Sequence, residues 1–150
     1  MKHLAVLSLA VLALAPGAAE ARRTIAVLDF GGVSGPTARG QIVRSLRRGY
    51  TILDGQAILD ACDELGISMA RGRNLARAAT HVGAVAVVGG NVDGGGYLQV
   101  AVYSGKTGQP LTSGSVRCGR RLSRGNLRRA LALVQKGLAR APRRVGRRRR

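Results

Sequence analysis

The segment Thr24 to Phe30, T-I-A-V-L-D-F, decides the fold of this chain. Its short run of β-branched and apolar residues predicts a strand that is buried on both faces, as in a parallel sheet covered by helices. The glycine-rich loop Gly31 to Gly35 follows, and Pro36 is well suited to the first position of a helix. A buried strand followed by a helix indicates an α/β fold.

The rest of the chain continues this pattern outward from the first strand. We predict strands over 50–53, 84–92, 97–103 and 110–118, and helices over 36–48, 54–65, 68–82 and 126–139. Asp54 is expected to cap the second helix and Gly66 to end it. The order β-α-β-α-α-β-β-β-α predicts an α/β fold with one mixed sheet of about five strands and packed helices, in a single domain over residues 22–141.

The first 21 residues predict the destination of the chain. Lys2 and His3 precede the uncharged apolar run from Leu4 to Ala15, and Ala19 and Ala21 are the small residues that a signal peptidase accepts. The apolar run of 12 residues is shorter than the ~20 needed to cross a bilayer as a helix. We therefore expect a signal peptide over residues 1–21, no transmembrane span, and a periplasmic or secreted product.

Charge divides the rest of the chain into two unequal parts. Arg22 to Asp93 contains 9 basic and 6 acidic residues, whereas Gly94 to Arg150 contains 15 basic residues and no acid. Such a one-signed segment attracts anionic partners. A second interpretation stays open, because 22 arginines against 3 lysines is also what a GC-rich genome would produce.

The candidate binding residues are the arginines of this basic part. Residues 142–150 are expected to form an Arg-rich disordered tail that contributes six of them. Few aromatic residues accompany the arginines, so nucleic acid is a less favoured partner than an envelope protein or an anionic envelope surface. The candidates are Arg117, Arg120, Arg121, Arg124, Arg128, Arg129, Arg143, Arg144, Arg147, Arg148, Arg149 and Arg150.

Two cysteines, Cys62 and Cys118, follow the predicted cleavage point. In an exported chain they permit one disulfide, which we expect to form. The alternative is two buried thiols that pack as small apolar groups.

No motif supports catalysis or cofactor binding. Gly105-Lys106-Thr107 lacks the earlier glycine of a P-loop, because that position is Val100. His81 has no nucleophile or metal-ligating partner in the pattern, and Asp60 and Glu64 are expected to pair with arginines on the outer face of their helix. We therefore expect a non-enzymatic protein with no cofactor and no catalytic or metal-binding residues.

Three segments resemble the α/β domain at the amino end of TolB and the similar domains of CsgG-like and LpoB-like envelope proteins. The strand Ile25 to Phe30 is similar to the family pattern V-A-V-L-x-F. The segment Ala76 to Gly90 is similar to the family pattern A-x-x-L-G-V-x-Y-V-L-x-G. The segment Val100 to Leu111, which contains K-T-G-Q-P-L, is similar to the turn D-A-x-T-G-E-x-L.

The resemblance implies a non-enzymatic recognition or assembly module of the bacterial envelope. With the basic carboxyl-terminal half, it suggests binding to a macromolecular partner. The alternative is a secreted cationic protein that binds nucleic acid, anionic lipid or glycan without specificity.

Overall fold

A computed structural model describes residues 22–69 and 72–143. The predicted signal peptide, and the predicted tail from residue 144 onward, lie outside the described residues. The elements follow the predicted order: β1 (Arg23–Val27), α1 (Gly35–Leu46), β2 (Tyr50–Asp54), α2 (Gly55–Leu65), α3 (Gly72–His81), β3 (Ala86–Val92), β4 (Tyr97–Ser104), β5 (Pro110–Arg117) and α4 (Arg124–Arg140).

The five strands form one mixed sheet in the order β2-β1-β3-β4-β5. Strands β2, β1 and β3 are parallel, and β3, β4 and β5 form an antiparallel meander. Strand β1 is flanked on both sides, with Ile25 opposite Ile52 of β2 and Ala86 of β3. The predicted fold class is confirmed. Because β1 lies between β2 and β3, its residues Ile25, Ala26 and Val27 are fully buried.

Helices cover the sheet from both faces. Ile25 and Val27 pack in the core on the side of α1 and α4, whereas Ala26, between them, packs with Ile58 of α2 on the other side. This alternation follows from the pleat of a strand. Helix α4 packs on one face of the sheet, against β4 and β5. The basic residues of α4 therefore lie on that side of the molecule.

Two glycines set the close approach of α4 to the sheet. A Cβ at Gly137 of α4 would lie 2.6 Å from Cβ of Val102 in β4. A Cβ at Gly114 of β5 would lie 2.6 Å from Cδ1 of Leu133 in α4. Larger residues at either position would push the helix away from the strands.

The capping and boundary predictions hold in part. Asp54 occupies the N-cap position of α2, but its side chain makes no capping hydrogen bond. Its carboxylate instead accepts a hydrogen bond from Nη2 of Arg39 at 2.8 Å. Gly66 ends α2 in the left-handed conformation, with φ of 61°, as predicted. Helix α3 begins at Gly72, whereas the predicted helix begins at residue 68.

Candidate anionic-partner interface

Five of the predicted arginines lie together at one end of the sheet. Strand β5 ends at Arg117, a short loop follows, and α4 begins at Arg124. All five are exposed, and we refer to them as the arginine rim: Arg117, Arg120, Arg121, Arg124 and Arg128. The rim lies at the end of the sheet where the parallel strands have their carboxyl ends.

The loop of the rim is held on both sides by buried residues. Cys118 is buried, and its N–H donates to the Gly96 carbonyl at 2.7 Å. Leu122 is also buried. The side-chain amide of Gln41 in α1 donates to the Leu122 carbonyl at 3.0 Å and accepts from the Leu122 N–H at 2.9 Å. Ser123 caps α4 by accepting from the Asn126 N–H at 3.2 Å. Arg120 and Arg121 are therefore presented from a fixed backbone.

The other predicted arginines are not part of the rim. Arg129 lies on a different side of α4, one turn before Leu133. Arg143 is exposed at the far end of α4, roughly 25 Å from the first turn of that helix. Arg144, Arg147, Arg148, Arg149 and Arg150 lie outside the described residues. The structure thus divides one predicted basic surface into separate groups.

Among the described residues, no intramolecular partner is found for the rim arginines. Within residues 22–69 and 72–143, none of them makes a hydrogen bond or an ion pair with another residue. The acidic residues of this part of the chain all precede Gly94. Two of them, Asp29 and Asp54, lie 3.5 and 2.8 Å from Arg39.

The structure contradicts the expected disulfide. Cys62 and Cys118 are free and buried. Cys62 packs with α2 and α3, and Cys118 packs in the core on the opposite face of the sheet. The sheet separates the two thiols, and a disulfide would require their Cα atoms to be within ~7 Å. Burial raises the pKa of both thiols, and at Cys62 the adjacent Asp63 carboxylate adds to the rise.

The acidic residues of α2 pair differently from the prediction. Glu64 Oε2 lies 2.7 Å from Nε2 of His81, the last residue of α3. Asp60 accepts a hydrogen bond from Gln56, one turn earlier, at 2.8 Å. The predicted pairing with arginines is wrong for both, because α3 brings His81, and not an arginine, against Glu64. Among the described residues no group of three or more His, Cys, Asp or Glu side chains could hold a metal ion.

The lysine-threonine-glycine segment is a hairpin turn, as predicted. The Ser104 hydroxyl accepts from the N–H groups of Lys106 and Thr107, at 3.2 and 3.3 Å. Gly108 has a φ of 70° and packs against the backbone of Gly72. No helix of the described ranges has the length and apolar character needed to cross a membrane.

Sequence reasoning missed two residues that organise this region. Gln41 was assigned only to the helix α1, although it fixes the rim loop 81 positions later. Arg23 lies before the predicted first strand and has no predicted role, although its guanidinium donates to the carbonyls of Leu138, Ala141 and Pro142 at the end of α4. Neither contact has a local sequence signal, since both partners lie far along the chain.

No family model and no curated protein sequence matches this chain. Solved structures are similar in fold. The C-terminal domain of LpoB from Salmonella enterica has a TM-score of 0.48 and 20% identity, covering 61% of this chain and 78% of that chain. Lipoprotein GNA1162 from Neisseria meningitidis has a TM-score of 0.44 and 17% identity, covering 77% and 96%.

A third similar structure is PelC from Paraburkholderia phytofirmans, with a TM-score of 0.41 and 16% identity over 81% of this chain and 89% of that chain. LpoB is one of the proteins whose domains the sequence resembles, and the closer likeness to TolB stays a prediction. At these identities the similarity concerns the fold and assigns neither a partner nor an activity.

Proposed function

We propose that this chain is an exported, non-enzymatic recognition module of the bacterial envelope, and that its arginine rim binds an anionic surface of a macromolecular partner. The observation that supports this most directly is that five neighbouring exposed arginines make no hydrogen bond or ion pair within the part of the chain that the structure describes. Like charges this close repel one another in the free protein. An acidic partner would relieve that repulsion.

The position of the rim adds to its electrostatic cost. The first turn of α4 contains no acidic residue and begins with Arg124. The amino end of a helix carries a partial positive charge, so a cation there is unfavourable by about 0.3–1 kcal/mol. Residues that lower stability where they stand are common at functional surfaces.

The fixed backbone of the rim loop favours a partner of defined shape. Buried Cys118 and Leu122 flank Arg120 and Arg121. The Gln41 side chain forms two hydrogen bonds with the backbone of Leu122. A preorganised loop loses less conformational entropy on binding than a mobile one. Non-specific attraction to a polyanion gains little from such order, because it depends mainly on released counterions.

The second candidate is a secreted cationic protein that binds nucleic acid, anionic lipid or glycan without specificity. The same unpaired arginines favour it, as does the absence of acidic residues after Asp93. The two candidates differ in their response to salt and to the position of the charges. Non-specific binding follows total charge and falls steeply as salt increases.

The test compares two variants of equal net charge. In the rim variant, Arg117, Arg120, Arg121, Arg124 and Arg128 are changed to glutamine. In the control variant, five exposed arginines on α1, the turn after it and α3 are changed to glutamine: Arg44, Arg47, Arg48, Arg73 and Arg77. Each purified protein is used to capture partners from an envelope extract at about 0.15 M salt, where exposed charges beyond ~8 Å are screened.

We expect the rim variant to lose capture of a specific protein by about tenfold or more, and the control variant to retain it. Truncation after Arg143 should also retain it. Equal loss in both five-residue variants, with binding to heparin and DNA beads abolished at moderate salt, would establish the second candidate instead. Turnover of any substrate in a broad panel by the purified protein would contradict the non-enzymatic assignment.

A further inference from the structure

Strand β5 is an open edge of the sheet. Within residues 22–69 and 72–143 it pairs with β4 only, and it is the last strand in the sheet order. The Cys118 N–H, just after β5, turns inward to the Gly96 carbonyl. Because backbone groups alternate in direction along a strand, the N–H and C=O groups of Ser113, Ser115 and Arg117 point outward, away from β4.

One end of this edge is closed and the rest is free. The Leu111 carbonyl accepts a hydrogen bond from Nη1 of Arg140 at 3.0 Å. No such bond covers the outward groups from Ser113 to Arg117 among the residues that the structure describes. An unprotected strand edge is a ready template for pairing with another extended segment.

Helix α4 forms the floor of a groove beside this edge. The groove has a volume of about 350 Å³, and its lining includes Leu133, Lys136 and Arg140 from α4. Arg129 continues the same side of the helix one turn before Leu133. An apolar residue thus lies between two cations, Arg129 and Lys136, which are ~10 Å apart along the helix axis.

We propose that the β5 edge and this groove bind an extended peptide segment with the pattern acid-x-apolar-x-acid, which pairs with Ser113 to Arg117 as a sixth strand. Side chains on one face of a strand recur every ~6.7 Å. The central apolar side chain would lie on Leu133, which packs against Gly114 in the middle of the free edge. The two carboxylates, ~13 Å apart along the strand, would then lie within reach of Arg129 and Lys136.

One further observation favours an acidic occupant. Every ionisable side chain after Asp93 that is charged at neutral pH is a cation, so this region cannot supply carboxylate side chains itself. This inference deepens the proposed function and rests on it, since it names a chemistry and a place for the partner of a recognition module.

The probe is a blocked, fluorophore-labelled peptide with the core Glu-Thr-Val-Thr-Glu, and its control has the core Thr-Glu-Val-Glu-Thr. The two have the same composition and charge, but the glutamates of the control lie on the strand face opposite its valine. Fluorescence anisotropy at about 0.15 M salt measures the affinity for the full chain. We expect the probe to bind at least about tenfold more tightly than the control.

Variants of the protein separate strand pairing from charge attraction. Ser115→Pro removes an outward N–H and leaves the β4 ladder intact, so it should weaken probe binding about tenfold, whereas Ser115→Ala should change it less than about twofold. The double variant Arg129→Glu with Lys136→Glu should lose the probe and bind a peptide with the core Lys-Thr-Val-Thr-Lys. Circular dichroism and thermal melting verify that each variant is folded.

The inference is overturned if the two peptides bind equally, if Ser115→Pro binds like Ser115→Ala, or if the charge exchange restores nothing. The proposed function is tested separately, by capture with the rim variant. If the peptide does not bind but partner capture still depends on the rim, only the proposal of a β5 site is overturned. Peptide binding combined with capture that does not depend on the rim would remove the rim as the main site.

Discussion

Two regions of the molecule, the β1–α1 junction around Arg39 and the arginine rim, use arginine in opposite ways. Only 19% of the Arg39 side chain is exposed, and its guanidinium forms hydrogen bonds with groups of the fold. In residues 94–143, the rim arginines are exposed and have no partner among the described residues. The same residue type has a structural role at Arg39 and is exposed to solvent in the rim.

The difference arises from where acids and backbone acceptors are placed. The Arg39 guanidinium donates to the carbonyls of Val27 and Leu28, each at 3.0 Å, at the end of β1. It also bonds the Asp54 carboxylate at the end of β2. It therefore ties α1 to two parallel strands. None of the rim arginines makes a comparable hydrogen bond or ion pair among the described residues.

The largest effect that this comparison predicts is on stability. Arg39→Met should lower the free energy of unfolding by about 2–3 kcal/mol, because the carbonyls of Val27 and Leu28 and the Asp54 carboxylate lose the hydrogen bonds that Arg39 donates. Arg128→Met, the matched change in the rim, should lower it by less than about 0.5 kcal/mol. Urea unfolding followed by circular dichroism measures both. Equal losses would show that the two arginines do not differ in structural role.

A smaller effect of opposite sign is expected in the rim. Arg124→Glu should raise the free energy of unfolding by about 0.5–1 kcal/mol at low salt, because it places an anion in the first turn of α4, one turn before Arg128. Arg77→Glu, near the middle of α3, should change it by less than about 0.5 kcal/mol. The gain should shrink as salt is added. A loss of stability on Arg124→Glu would mean that this arginine has a partner in the fold.

The cysteines should show no difference between the regions, because burial rather than charge governs both. Cys62 and Cys118 are free and buried, and burial raises the pKa of both thiols. Thiolate is the reactive form, so both should react with iodoacetamide much more slowly in the folded protein than in denaturant. Reductant should leave the melting temperature unchanged. A lower melting temperature in reductant, or a protein mass two hydrogens below that of the reduced chain, would show that the disulfide expected from the sequence does form.

Local pattern predicted the fold well because each element has its own signal. The apolar run of β1, the spacing of Val134 and Leu138 in α4, and Gly66 at the end of α2 act over a few residues. The candidate arginines that the structure describes are all exposed, and their role in binding stays a prediction. Their division into a rim, a groove side and a distal end was not predictable, because it depends on the direction in which α4 crosses the sheet.

The sequence by itself determined the order of elements, the burial of the first strand and the imbalance of charge, since composition and periodicity are properties of neighbouring residues. Only the tertiary structure decided which cations have partners, which face of the sheet receives each cysteine, and which strand lies at the open edge. These depend on residues such as Gln41 and Leu122, which are 81 positions apart and are brought together by packing. Long-range contacts of this kind leave no local pattern in the chain.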